Sequence, residues 1–215
     1  MLTFASTNRY RTQMKQFIST LRSAVMAGVC VGLAGFGYLA EKSIIGAVVF
    51  SFGLLAVVAY RLKLYTGTAG FFRRGEFGQL MLILLGNIAG CLLVALLARC
   101  SPMPLQQTAQ TILEGRLANG PLFGGLLAVG CGFIMTTVVT FARKGNVLPL
   151  LFGIPLFINC GFPHCVADAF YYLCVPVDFL HANLLAVTVF YLSIVFGNFV
   201  GCNLYRAVMR GEAIL

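Results

Sequence analysis

An imidazole stands inside a long apolar run: in LPLLFGIPLFINCGFPHCVADAFYYLCV, residues 148–175, His164 is flanked by Gly161, Pro163 and Asp168. A histidine with a reference pKa of about 6.5 exchanges a proton at modest cost. In an apolar setting the charged form is expensive, so the ring is neutral unless an anion or acceptor approaches. Two roles fit His164: a neutral ring that ties a broken loop together, or a ring that handles protons for something passing it. Asp168, one helical turn later, either holds that ring or caps the helix that follows. Cys160 and Cys165 flank the ring, but their spacing matches no standard zinc knuckle and no second ligand pair follows, so no metal is expected. The chain shows no paired carboxylates, nucleophile elbow or phosphate-binding glycine loop. An enzyme is therefore not expected, nor any cofactor.

A second polar interruption lies in the first half. The apolar run from residue 44 meets Arg61 and Lys63 and then Tyr65-Thr66-Gly67-Thr68-Ala69-Gly70. Thr66 either caps this turn through local backbone or offers its hydroxyl to a ligand. In the second half, Pro155 kinks its run, and Gly161 with Pro163 unwinds it. Free backbone groups at membrane depth survive only when they face protein or a cavity.

Everything around these residues is apolar. The 215 residues are 60% hydrophobic and 10% charged, with a mean hydropathy of +0.92. A soluble domain of this size could not hide so much apolar surface, so an integral membrane protein follows. The net charge of +9 comes from small clusters between apolar runs and not from one patch, which argues against nucleic acid. Eight cysteines lie mostly within apolar runs at irregular spacing, so no disulfide framework is expected.

Six spans fit, at about 23–40, 44–60, 78–98, 120–142, 146–175 and 180–205. Residues 1–22 form a basic lead, read as an amphipathic surface helix, and 23–207 form one transmembrane pore domain. The run from Ser23 carries no clean cleavage site and is read as a retained span. With the N-terminus cytoplasmic, 12 of the 15 Lys and Arg residues fall inside and only Lys42, Arg99 and Arg116 outside. Both termini are thus expected in the cytoplasm.

The chain also repeats: Gly86-Asn87-Ile88-Ala89-Gly90-Cys91 in span 3 returns as Gly197-Asn198-Phe199-Val200-Gly201-Cys202 in span 6. Each closes a three-span half, about 23–100 and 118–207. An odd number of crossings inverts the second half relative to the first. Interrupted spans 2 and 5 at matching places in inverted halves point to a transport site between them. Asn87 and Asn198 are expected to serve close packing and an interhelical hydrogen bond.

At these residues the chain resembles the formate/nitrite transporter family. FSFGLLAVVAYRLKLYTG (50–67), GQLMLILLGNIAG (78–90), LPLLFGIPLFINCGFPHCVADAFY (148–171) and VFGNFVGCNL (195–204) carry the likeness, in order and at matching spacing. The resemblance implies an all-α, aquaporin-like pore of six spans in a homopentamer, set in the plasma (cell inner) membrane. It implies that His164 is the central pore histidine and Thr66 the loop hydroxyl that reaches it. Phe50 and Phe157, with Leu54 and Leu64, would form the constrictions. Arg116 would draw anions into the outer vestibule, although it also fits a surface anchor. Pro163, Asp168 and Gly132 stand where the family usually has Glu, Asn and Asn, so substrate choice does not carry over.

The expected function is therefore a pH-linked pathway for small inorganic or organic monovalent anions such as formate, nitrite or hydrosulfide. Two other classes compete. An aquaporin-like pore for neutral solutes lacks the paired Asn-Pro-Ala turns, and a lipid-embedded scaffold or sensor would carry no flux.

Overall fold

The computed structural model describes the backbone of residues 4–73 and 75–209, and side chains from residue 10 onward within them. Among those residues all regular structure is helical. The helices are α1 (Phe4–Ala40), α2 (Ile44–Ala59), α3 (Tyr65–Ala69), α4 (Phe77–Ala98), α5 (Leu105–Arg143), α6 (Leu150–Asn159), α7 (Cys165–Cys174), α8 (Val177–Ala182) and α9 (Leu184–Val208). Within α1, residues 10–40, and the whole of α4, α5 and α9 are long and apolar enough to cross a bilayer, while α2, α6 and α7 are shorter apolar helices.

Two features differ from the sequence expectations. The basic lead is not a separate surface helix. It continues into α1 as one rod, because nothing between residues 4 and 40 breaks the backbone. Residues 105–119 are helical as well. They precede Gly120, whose extended backbone (φ 79°, ψ 158°) divides α5 just before Pro121. Only glycine takes that conformation freely, and Pro121 suits the first turn of the helix that resumes. The signal for 105–119 was available: Leu105, Ala109 and Leu113, four apart, are the residues it buries.

The repeated glycines explain the packing. Gly86 and Gly90 on α4 face α1, where a Cβ on Gly90 would overlap the Val25 carbonyl. Gly197 and Gly201 on α9 face α5, where a Cβ on Gly201 would overlap the Val129 carbonyl. Gly132 belongs to the same device, since a Cβ there would strike the Asn198 carbonyl. Small residues let helix backbones approach closely where lipid offers no hydrophobic drive. The α1–α4 pair is thus repeated as α5–α9, and α2 packs on α6 between them. Outside, Phe52, Leu85, Leu122, Leu185 and Phe196 are exposed, an apolar shell suited to lipid or to neighbouring apolar protein.

Candidate functional site

The two backbone breaks are built alike. Helix α2 ends as Arg61 N–H donates to Val58 O and Leu62 N–H to Val57 O. Helix α6 ends as Gly161 N–H donates to Ile158 O and Phe162 N–H to Phe157 O. Both are Schellman ends, which need one left-handed residue. Arg61 (φ 52°) and Gly161 (φ 69°) supply it.

Beyond each break an asparagine holds the loose backbone. Asn87 Oδ1 accepts from Tyr65 N–H at 2.9 Å, and its amide donates to Ala24 O and Lys63 O at 2.8 and 3.0 Å. Asn198 Oδ1 accepts from Cys165 N–H at 2.8 Å, and its amide donates to Ala128 O and Pro163 O at 2.8 and 3.0 Å. The two halves also fasten each other. The Cys91 thiol shares its hydrogen between Val166 O in α7 and Gly28 O in α1, and the Cys202 thiol donates to Thr66 O in α3.

His164 and Thr66, 98 residues apart in sequence, meet where α3 and α7 begin. His164 Nε2 lies 2.9 Å from Thr66 Oγ1. His164 is also the N-cap of α7, and its Nδ1 accepts from Ala167 N–H at 3.1 Å. An accepting Nδ1 carries no hydrogen, so a neutral ring keeps its proton on Nε2 and donates it to Thr66. The Thr66 hydroxyl hydrogen then has no partner among the described residues.

Asp168 does not touch the ring. Its Oδ2 accepts from the His164 backbone N–H at 2.8 Å. Its Oδ1 accepts from Tyr172 OH and Arg116 Nε, each at 3.1 Å. Arg116 Nη1 also donates to the Gly161 carbonyl. Arg116 therefore pins residues 105–119 to the second break, with its charge paired by a buried carboxylate.

Rings close the space around this junction. Phe157 stacks on His164 at 5.5 Å between centroids, and Phe50 meets Phe157 edge-on at 6.4 Å. All three are buried, as are Leu54 and Leu64. Two cavities lie at opposite ends of α5 and α6. One, of about 490 Å³, reaches Phe157, His164, Arg116 and Asp168. The other, of about 540 Å³, is lined by Leu54, Leu64, Gly67, Arg61 and Arg143. Along α5 they are separated by residues 127–139, about 18 Å of helix rise.

Arg143 and Arg61 were not singled out as site residues by sequence reasoning, nor was Tyr172. Tyr172 sits four residues after Asp168, a helical spacing that could have found it. Of the basic residues assigned to the inner segments, Arg74 and Arg210 lie outside the described residues, as does the side chain of Arg9. Cys160 is exposed while Cys165 is buried, and no metal-holding group of three His, Cys, Asp or Glu occurs among the described residues.

Comparison with known proteins bears on this geometry. The family model for formate/nitrite transporters matches residues 2–210. The formate channel FocA of Haemophilus influenzae is 24% identical over 196 residues, covering 77% of this chain and 69% of that protein. The uncharacterized transporter YrhG of Bacillus subtilis is 29% identical over 151 residues, covering 60% of this chain and 56% of that protein. A solved pentameric formate channel with formate bound superposes with a TM-score of 0.78 at 20% identity, covering 91% of this chain and 96% of its own. An ion channel described as of the FNT family superposes with a TM-score of 0.71 at 20% identity, covering 91% and 90%.

Proposed function

The chain belongs to the formate/nitrite transporter family, and on that premise we propose that it is a membrane channel for small monovalent weak-acid anions, with His164 and Thr66 at its centre. Formate, nitrite, hydrosulfide and similar short carboxylates are its substrate class. In this reading α2 with α3, and α6 with α7, are broken second and fifth spans, so that six spans form two inverted halves. Residues 1–22 form the cytoplasmic lead and 23–207 the pore domain. Five copies assemble in the cell inner membrane with one pathway each. Both termini and the Arg61 cavity face the cytoplasm, and the Arg116 cavity faces outward.

The observation that carries the reading is the Nε2–Oγ1 contact between cavities at opposite ends of α5 and α6. A bare anion entering the Phe50–Phe157 constriction loses its water in a low-dielectric passage, a cost that neutralisation removes. The cap at Ala167 occupies Nδ1, which supports a neutral His164 acting as donor. It polarises Thr66, whose hydroxyl hydrogen then greets the substrate. The substrate takes its proton from cavity water, which links flux to pH without requiring an imidazolium.

The test is flux through purified protein in lipid vesicles, with formate, nitrite and hydrosulfide presented at several pH values. Flux should rise for each anion as pH falls. Rates equal to protein-free vesicles for the whole panel would overturn the reading. Flux of neutral solutes without pH dependence would replace it with an aquaporin-like one.

A further inference from the structure

Arg61 is the only described residue other than glycine with a positive φ. Gly161 takes the same place in the other half. A glycine at residue 61 would satisfy the same helix end without strain, so the fold alone gives no reason for an arginine. Strained positions that persist cluster at functional sites.

The Arg61 side chain is exposed, with no hydrogen bond or acid partner among the described residues. It lines the 540 Å³ cavity beside Arg143. Arg143 lies 3.5 Å over the Phe71 ring and donates to Gly67 O, again without a carboxylate. Both arginines also line an adjoining hollow with Lys63 and Glu76. Glu76 there accepts from the Arg73 backbone N–H, and the Lys63 ammonium donates to Thr20. The opposite mouth differs: its guanidinium, Arg116, is bound to Asp168. An unpaired charge raises the local concentration of counter-ions, whereas a paired one leaves only a short-range dipole.

We propose that Arg61, seconded by Arg143, is a loading site for the small anionic substrate, so that the pathway saturates more readily from the Arg61 mouth than from the Arg116 mouth. Arg61 is thus a specificity-determining residue, kept at a strained position for its charge. The proposal rests on the anion-channel reading above.

The experiment records formate currents in planar bilayers at low ionic strength, with formate raised on one face at a time. Orientation is assigned from reaction of a membrane-impermeant maleimide with Cys160, which lines the Arg116 mouth. Absence of any current would sink the channel reading itself. Given current, the half-saturating concentration should be lower on the Arg61 face, and added salt should erase the difference as screening sets in. Arg61→Gln should raise the Arg61-face value about fivefold, the effect of one nearby charge in a solvated cavity, and leave the other face unchanged. Arg61→Lys should restore most of it. Arg61→Gly should lose loading to the same degree yet melt at a higher temperature, which separates charge from backbone strain. Equal half-saturation on the two faces of the parent protein, or unchanged loading in both Arg61→Gln and Arg61→Gly, would overturn the proposal.

Discussion

Replacing Asn198 with leucine strips three hydrogen bonds at once, two of them from backbone outside any helical ladder. Cys165 N–H is the first amide of α7 and Pro163 O lies in the break, whereas Ala128 O, inside α5, keeps its place in the helical ladder. Asn198 is fully buried, so no water replaces it. An orphaned buried polar group costs about 1–3 kcal/mol, so two of them give a loss of about 2 kcal/mol or more. For a chain of this length, about 1 kcal/mol moves the melting temperature by roughly 2–4 °C. Thermal unfolding of the detergent-purified protein should therefore fall by about 4 °C or more. Asn87→Leu removes a matching set of three and should cost the same within error. Asn203→Leu is the control. It is only partly buried, one of its two bonds lies within its own helix, and it should shift melting by a third as much or less. If Asn198→Leu and Asn87→Leu melt within about 2 °C of the parent, the breaks are not held by these amides, and the reasoning fails.

Other perturbations separate scaffold from chemistry. His164→Asn keeps a good cap for α7 while removing the ring that meets Thr66, so vesicle flux should fall at every pH with little change in melting. His164→Phe loses the cap as well and should cost about 1 kcal/mol more. Asp168→Leu takes the carboxylate from Arg116, Tyr172 OH and the His164 N–H and leaves Arg116 only the Gly161 carbonyl, so thermal unfolding should register a loss of about 3–5 kcal/mol; Asp168→Asn should lose clearly less. Gly161→Ala forces a Cβ into the left-handed region at φ 69°, a cost of about 1–2 kcal/mol to be read as a lower melting temperature.

Much of this could be read in advance because membrane solvation simplifies the code. Apolar length marked α4 at nearly its observed limits, while the span read over 180–205 ran across the end of α8 into α9, and Gly161 with Pro163 marked the second break. The first break was harder. It ends in Arg61, which takes a glycine's conformation without being one, so only the polar residues after it gave it away. The contacts within the site were not legible. Arg116 and Asp168 are 52 residues apart, and nothing in their types dictates that they pair. The helix over 105–119 was missed because its apolar stripe is short and its glutamines resemble a loop, although its four-residue period is plain once sought. Asn87 and Asn198 stood out as a repeat, but their task of replacing missing helical hydrogen bonds depends on where α3 and α7 begin.

The thiol bonds that cross from one half to the other bear on how the chain is made. During synthesis the segment Tyr65–Ala69 leaves the ribosome well before Cys202 exists to meet the Thr66 carbonyl, and Val166 must in turn find a Cys91 already in place. The two thiol bonds that join the halves therefore form only once the second half has been made, so neither half is complete by itself.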